Sequence, residues 1–340
     1  MGMKAGLWIG LLMLLILTAC MADGQGRQPV DENDEQLRQD HESVTDQTAD
    51  EFGTADESVT DQTADEFSPM FSHIHGLAYG LNEPYDLYVS TNDGLIQITA
   101  SNEWQWTADP HHRHDLVSFK VQDTDTLIAS GHPAEQSDLQ EPLGIVVSKN
   151  QGATWEPVAL HGEVHFQVLD MNAGDPSILY GLADQEFAFY QSINGGLSWE
   201  KIKTERLSPD THALVSDPGR PESLLAGTPK GILTSDDGGK TWEMFNPNLT
   251  FVGIQALPSQ PSLIVAYLLG DMEGLMMSED FGQTWSSLNF TIENDVVSAI
   301  AVHPEEANTF AVGTLEASIY LTKDGGEQWI QLAESGRPIE

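Results

Sequence analysis

The segment Ser235-Asp-Asp237-Gly-Gly239-Lys-Thr241-Trp242 is one copy of a pattern that returns along the chain: Ser or Thr, then Asp or Asn, then Gly, with a closing Trp. Five segments share this pattern, and they begin at Ser148, Ser192, Ser235, Ser278 and Thr322. Successive starts are 44, 43, 43 and 44 residues apart. Such a regular period indicates a repeat architecture in which each repeat forms one structural unit.

The residue types in each segment are those of a tight turn. An Asp or Asn side chain accepts hydrogen bonds from nearby backbone N–H groups, Gly adopts backbone angles that other residues resist, and Trp buries a large ring against a neighbouring sheet. We therefore predict a structural role, not a catalytic one, for the Asp or Asn and the Trp that recur in the five segments. These residues are Asn150, Asn194, Asp237, Asp280, Asp324, Trp155, Trp199, Trp242, Trp285 and Trp329.

Each repeat also contains four short apolar runs, as in 213–218, 223–227, 231–234 and 242–245. The turn segments match the Asp-box, or BNR repeat, of sialidase-like and sortilin-like propellers, and this resemblance covers most of residues 71–335. One further unit spans 73–107, with a degenerate box at 101–106. The expected fold is all-β, a six-bladed β-propeller over 71–335 followed by a tail at 336–340. How the ring closes is left open, because both terminal units can supply four strands.

The N-terminus has the composition of an export signal. Lys4 precedes an apolar run from Leu7 to Leu17, which is short for a membrane-spanning helix of ~20 apolar residues. The following Leu17-Thr18-Ala19-Cys20 resembles the lipobox of bacterial lipoproteins. This resemblance implies removal of residues 1–19, lipidation of Cys20 and attachment to the outer face of the cytoplasmic membrane, in a bacterium of the Gram-positive type. The alternative is an uncleaved signal anchor. Because Cys20 is the single cysteine, the remaining chain has no disulfide and no thiol catalyst.

Residues 20–70 are expected to form a disordered acidic linker, because they are too polar to bury a core. Within them, residues 42–52 recur as 57–67, fifteen residues later, which favours a spacer. The whole chain has 53 acidic and 14 basic residues, for a net charge of −39. Nucleic acid is therefore excluded as a partner, because phosphate binding needs a basic surface.

Histidines concentrate where the first strand of each blade lines the central channel. The first of these strands opens with His73-Ile-His75, and alternation places both rings on one face. Aligning the repeats puts Gln167, His212 and Ser298 level with His75, and it puts His165 and Asp210 level with His73. Further candidates are His114 and Asp115 before the second inner strand, and His132 in a Ser-Gly-His-Pro loop.

Two interpretations of the histidines stay open. The first is a divalent metal site, zinc or copper, because imidazoles and a carboxylate suit these ions; its ligands would be His73, His75, His114 and Asp115, joined by His132 or His165. The second is that the rings form hydrogen bonds across the channel and bind nothing. The same motifs resemble a group of bacterial lipoproteins labelled as BNR-type glycosyl hydrolases. That group has a Phe-His pair where this chain has Phe166-Gln167, which would remove one ligand.

An enzymatic function finds less support in the sequence. Sialidases hold their substrate carboxylate with three arginines, and beyond the linker this chain has Arg113, Arg206, Arg220 and Arg337, of which Arg220 lies in a turn and Arg337 in the tail. Another glycosidase would need two facing carboxylates, for which Asp115, Glu163 and Asp210 are candidates. The leading hypothesis is a lipid-anchored platform that binds a protein or glycan at the channel mouth. The alternative is a glycoside hydrolase, not a sialidase, that acts on extracellular or cell-wall glycans.

Overall fold

The computed structural model describes residues 69–339 apart from 84, 258, 259, 261 and 307. The predicted signal peptide, the lipidated Cys20 and the linker up to residue 68 lie outside the described residues. Within the described part, no helix is long and apolar enough to cross a membrane.

Six antiparallel sheets follow one another along the chain, and within each sheet the strands are paired in sequence order. Blade 1 contains β1 (Ile74–Tyr79), β2 (Leu87–Thr91), β3 (Gly94–Ile98) and β4 (Trp104–Trp106). Blade 2 contains β5 (Asp115–Val121), β6 (Leu127–His132), β7 (Ile145–Ser148) and β8 (Glu156–Ala159). Blade 3 contains β9 (Phe166–Met171), β10 (Leu179–Ala183), β11 (Ala188–Ser192) and β12 (Glu200–Ile202).

The remaining three blades have the same organisation. Blade 4 contains β13 (Ala213–Asp217), β14 (Arg220–Thr228), β15 (Gly231–Ser235) and β16 (Glu243–Asn246). Blade 5 contains β17 (Leu249–Ala256), β18 (Ile264–Gly270), β19 (Gly274–Ser278) and β20 (Ser286–Phe290). Blade 6 contains β21 (Val297–Val302), β22 (Phe310–Thr314), β23 (Ile319–Thr322), β24 (Ile330–Glu334) and β25 (Arg337–Pro338). The predicted six-bladed propeller is confirmed.

The ring closes by packing between blades 1 and 6. Each of these blades consists of consecutive strands, so no strand is exchanged, and β1 lies against β21. Ile74 and Leu77 of blade 1 share one apolar cluster with Ala299 and Ala311 of blade 6. The Phe71 N–H donates a hydrogen bond of 3.1 Å to the Gly336 carbonyl.

Residues 337 and 338 do not belong to a tail, although the sequence predicts one at 336–340. Arg337–Pro338 form β25, which pairs with β24, and the Ile339 N–H donates to the Leu332 carbonyl at 2.9 Å. The prediction failed because the other blades offer no fifth strand with which these residues could be aligned.

The Asp-boxes have the predicted turn geometry. In blade 4, one Asp237 carboxylate oxygen accepts hydrogen bonds from the Thr241 N–H at 2.9 Å and the Ser235 hydroxyl at 2.9 Å. The other oxygen accepts from the Thr241 hydroxyl at 2.7 Å. The Trp242 indole donates to the Gly239 carbonyl at 2.9 Å and is 2% exposed. Trp155 is equally buried, whereas Trp199, Trp285 and Trp329 are half-buried.

We expect Asp237→Ala to lower the free energy of unfolding by about 1–3 kcal/mol, because it removes the acceptor of three hydrogen bonds in one turn. Asp237→Asn is the matched control and should stay within about 0.5 kcal/mol of the parent. Blade 2 already uses an amide at this position, where Asn150 accepts from the Thr154 N–H at 3.0 Å. Urea denaturation followed by circular dichroism measures both variants, and an equal loss in the two would contradict the role assigned to the acceptor.

Candidate functional site

The inner strands β1, β5, β9, β13, β17 and β21 all begin at one end of the channel, which we call the mouth face. The Asp-boxes join the third and fourth strands and therefore lie at the opposite end. Loops between the second and third strands also reach the mouth face, and five are short: 92–93, 184–187, 229–230, 271–273 and 315–318. The blade 2 loop, 133–144, is much longer. Blade 2 therefore carries the largest departure from the repeat.

Bulges in the inner strands turn side chains into the channel. Strands β1, β9 and β21 each contain one extra residue that has no paired residue on the neighbouring strand. These residues are His75, Gln167 and Ser298. A bulge bends the strand and re-aims a side chain. These three residues line the channel together with His212, as the alignment of repeats predicted.

Two residues of the predicted channel set lie elsewhere. His73 precedes β1, is exposed, and has its Nδ1 3.2 Å from the Ser72 hydroxyl. Asp210 precedes β13 and is also exposed. The expectation that His73 and His75 share a face was based on regular alternation, and the bulge at His75 interrupts that alternation.

Three histidines of the mouth face each lie against a carboxylate. His75 Nε2 is 3.0 Å from Asp115 Oδ1, although the two atoms are not aligned for a hydrogen bond. His165 Nδ1 is 3.0 Å from Asp184 Oδ2. His132 Nδ1 is 3.2 Å from Glu141 Oε1. Asp184 and Glu141 were not among the predicted site residues. Glu141 lies in the long loop that follows no repeat, whereas Asp184 comes directly after the second strand of its blade, close to the position that His132 has in blade 2.

The His165–Asp184 pair is the most buried of the three. His165 is 3% exposed, and its ring centroid lies 4.4 Å from that of His132. Burial raises the pKa of Asp184, but the hydrogen bond and charge of His165, with two backbone N–H groups, outweigh burial and bring that pKa below its usual value. With Nδ1 donating to Asp184, the other ring nitrogen of His165 is a buried atom without a hydrogen-bond partner among the described residues.

His114 holds the long loop of blade 2 in place. It is fully buried, and its Nδ1 accepts a hydrogen bond from the Ala134 N–H at 3.0 Å. His161 holds the other end of the loop, because its Nε2 accepts from the Gln140 N–H at 3.2 Å and its Nδ1 lies 2.9 Å from the Leu143 carbonyl. Both rings are thus committed to backbone contacts.

A concave site opens beside the channel between blades 1 and 2. This cavity, which we call the blade 1–2 cavity, has a volume of about 660 Å³ and is lined by residues that include Asp93, Trp106, Arg113, Asp115 and Glu135. The Arg113 guanidinium lies 4.6 Å from the centre of the Trp106 ring. Three carboxylates against one guanidinium make the polar part of the lining acidic, and Trp106 belongs to its apolar part. Segment 107–114 and the long loop of blade 2 form much of the wall.

The predicted metal ligands do not form one coordination set. Among residues 69–339, leaving out the five positions given above, no group of three His, Cys, Asp or Glu side chains could hold a metal ion. The rings of His75, His132 and His165 each face one carboxylate. Metal binding itself stays a prediction.

The three carboxylates considered for catalysis are likewise dispersed. Asp115 lines the blade 1–2 cavity, whereas Glu163 and Asp210 are exposed and do not contribute to its wall. Asp93 and Glu135 do contribute to it. Sequence alone could not select these two, because Glu135 lies in the long loop of blade 2, which has no counterpart in the repeat, and nothing in the short 92–93 loop distinguishes Asp93 from the many other acidic residues.

We expect the His114 ring to remain neutral, with its proton on Nε2, from pH 8 down to about pH 5. Burial, and secondarily repulsion from His112, lowers the pKa of His114 to about 4. Its folded pKa lies below the unfolded value, so this residue contributes full stability above pH 6.5, and that contribution falls as the pH drops toward 4. Nitrogen-15 chemical shifts of the imidazole report the tautomer directly. A titration near pH 6.5 would contradict the burial.

The fold and the repeats together define the class of protein: a six-bladed β-propeller with Asp-box turns. The family profile described as "Sortilin, neurotensin receptor 3" matches residues 230–339, which is less than half of the chain. No curated protein sequence matches the chain significantly.

Solved structures show the same fold. A GH74 enzyme from Niastella koreensis is 17% identical with a TM-score of 0.53, over 79% of this chain and 46% of that chain. The GH74 xyloglucanase from Xanthomonas campestris is 16% identical with a TM-score of 0.50, over 78% of this chain and 46% of that chain. This chain thus spans less than half the length of either enzyme. At these identities the likeness concerns the fold alone.

Proposed function

We propose that this protein is an extracytoplasmic, lipid-anchored propeller that binds a protein or glycan partner at its mouth face. The observation that carries the proposal is the blade 1–2 cavity, because segments that depart from the repeat build its wall. Binding functions of repeat folds commonly reside in such insertions.

The lining of the cavity favours a polar, hydroxyl-rich ligand. Asp115 and Glu135 offer acceptors, Asn92 and Gln136 offer carboxamides, and Trp106 supplies an aromatic surface. A nucleic acid would be repelled by the same carboxylates. Pro69 and Met70 also line the cavity, so the chain enters the propeller beside it.

Binding is tested with a panel of cell-wall and exopolysaccharide fragments on the purified propeller. We expect Glu135→Gln and Asp115→Asn to weaken the binding of a retained glycan by about tenfold, which corresponds to ~1.4 kcal/mol. Glu273→Gln is the matched control, because Glu273 is an exposed residue of the mouth-face loop in blade 5. Equal affinity in all three variants would exclude the cavity as the site.

The alternative function, a glycoside hydrolase, has one specific observation in its favour: Asp93, Asp115 and Glu135 line the same cavity. A pair of carboxylates on opposite sides of a sugar is the minimum for this chemistry. Release of reducing ends from the same glycan panel distinguishes the two functions. Turnover that is abolished by Asp115→Asn would establish the hydrolase, and retention without turnover would establish the binding platform.

The anchor and the metal have separate tests. Palmitate labelling of the expressed protein should be lost in Cys20→Ala, which should also release the protein from the membrane. Zinc and copper are measured in the purified, undialysed protein, with His75→Ala as the comparison. Stoichiometric metal in the parent, lost in the variant, would support a metal site, and its absence in the parent would remove the metal from the proposal.

A further inference from the structure

The channel contains a second chamber at the end opposite the mouth face. This chamber, called here the lower chamber, has a volume of about 280 Å³. Its wall is mainly apolar and includes Leu77, Tyr79, Met171, Ala301, Val302 and Pro304. The residues between the lower chamber and the mouth of the channel are Leu77, Lys120 and Gln255, which border both spaces. Lys120 therefore borders both the apolar chamber and the upper part of the channel.

Lys120 is a half-buried residue of the channel wall, and the part of the chain that the structure describes gives its ammonium group no close partner. Among the described residues, no carboxylate oxygen lies within 4.0 Å of it, and its Nζ makes no hydrogen bond. Burial lowers the pKa of Lys120, and the charge of Asp170 acts in the opposite direction from a greater distance. Asp170 is itself occupied, because it accepts a hydrogen bond from the Ser216 N–H at 3.0 Å.

A half-buried cation without a hydrogen-bond acceptor from the protein remains available to a ligand, and such groups cluster at binding sites. A ligand carboxylate would supply the missing acceptors. The apolar wall around it would at the same time accommodate a hydrocarbon chain, because burial of each methylene removes apolar surface from water. No charged side chain other than Lys120 appears in the wall of the lower chamber.

We propose that the lower chamber binds a small monocarboxylate with a hydrocarbon tail, such as a medium-chain fatty acid. The carboxylate accepts hydrogen bonds from Lys120, and the tail lies between Tyr79, Met171 and Val302. The ligand enters from the end opposite the mouth face, where Pro176 and Pro304 belong to the wall. This site is independent of the blade 1–2 cavity, so either can fail without the other.

Isothermal titration calorimetry with decanoate, decanol and acetate at pH 7.5 tests the proposal. Saturable 1:1 binding of decanoate is expected, with decanol at least tenfold weaker and acetate undetected. Lys120→Met keeps the apolar stem and removes the charge, and it should weaken decanoate at least tenfold while leaving decanol unchanged. Lys230→Met, which removes an exposed lysine from a turn in blade 4, should leave decanoate binding unchanged.

Two further variants keep the test decisive. Lys120→Met leaves the buried Asp170 without its counter-charge, so the double variant Lys120→Met/Asp170→Asn provides a charge-balanced version that should bind decanoate as weakly as the single variant. Ala173→Phe fills part of the lower chamber and should abolish decanoate binding while Lys120 is intact. Absence of saturable decanoate binding, equal binding of decanoate and decanol, or full decanoate binding by folded Lys120→Met or Ala173→Phe would each overturn the proposal.

Discussion

Replacing Gly239 by alanine is expected to lower the free energy of unfolding by about 3 kcal/mol or more. Gly239 belongs to the Asp-box of blade 4 and has a φ of 82°. A Cβ atom there would overlap the ring of Phe189 in blade 3. Phe189 is fully buried and stacks on Tyr180 with a centroid distance of 5.7 Å, so it has no room to move.

The neighbouring Gly238→Ala separates the two contributions to this cost. Gly238 has a φ of 71°, so alanine is strained there as well. The nearest atom to its Cβ would be the Tyr180 hydroxyl oxygen at 3.6 Å, an ordinary contact. We expect Gly238→Ala to cost only the backbone strain, about 1–2 kcal/mol.

Urea denaturation of the parent and both variants measures the difference. A loss that is larger for Gly239→Ala by about 1–3 kcal/mol reports the collision between blades. If the two variants lose the same stability, the Asp-box turn is not seated against the adjacent blade as described. The comparison therefore tests packing between blades, which hydrogen bonds within one turn do not report.

The second large effect concerns the buried carboxylate of Asp170. This side chain is 5% exposed. Burial raises its pKa from 3.8 to about 6, while Lys120 and the hydrogen bonds from Ser216 act in the opposite direction. Because the folded pKa lies above the unfolded one, the folded state favours the protonated acid. Asp170 therefore reduces stability progressively as the pH rises from about 4 through 6, and the full loss is present above that range.

Asp170→Asn removes this titration and keeps an oxygen that accepts from the Ser216 N–H. The free energy of unfolding of the variant, minus that of the parent, should increase by about 2 kcal/mol between pH 4 and pH 7.5. Taking the difference is necessary because His114 changes the stability of both proteins in the opposite direction over much of the same pH range. Denaturant titrations at several pH values supply the curve.

Lys120→Met provides the complementary measurement. Without the cation that lowers the pKa of Asp170, the loss of stability should begin at the same pH as in the parent but continue to a higher pH and become larger. A difference curve for Asp170→Asn that stays flat from pH 4 to 7.5 would mean that water reaches the carboxylate in the folded protein.

The candidate site was only partly accessible to sequence reasoning. Alignment of repeats correctly placed His75, Gln167, His212 and Ser298 on the channel wall, and three of the four stand at bulges that recur in the inner strands. The alignment could not place His73, because the bulge at His75 interrupts the alternation of side chains between the two faces of β1. The predicted ligand set failed to assemble among the described residues for a related reason. The histidines contact Asp184, Glu141 and the backbone of loop 133–144, and this loop, which includes Glu141, follows no repeat and so cannot be aligned.

The blades were predictable from local sequence. An Asp-box is held by hydrogen bonds within seven residues, such as those joining Ser235, Asp237 and Thr241, so its residue types are sufficient to specify the turn. Five regularly spaced boxes and the degenerate unit at 73–107 together predicted six blades. Only the folded protein shows how the ring closes, which loops form the blade 1–2 cavity, and that Lys120 borders an apolar chamber. These features bring together residues that are far apart in the chain. The hydrogen bond between Phe71 and Gly336 and the electrostatic interaction between Lys120 and Asp170 form only when separate blades pack together. No local sequence pattern therefore predicts them.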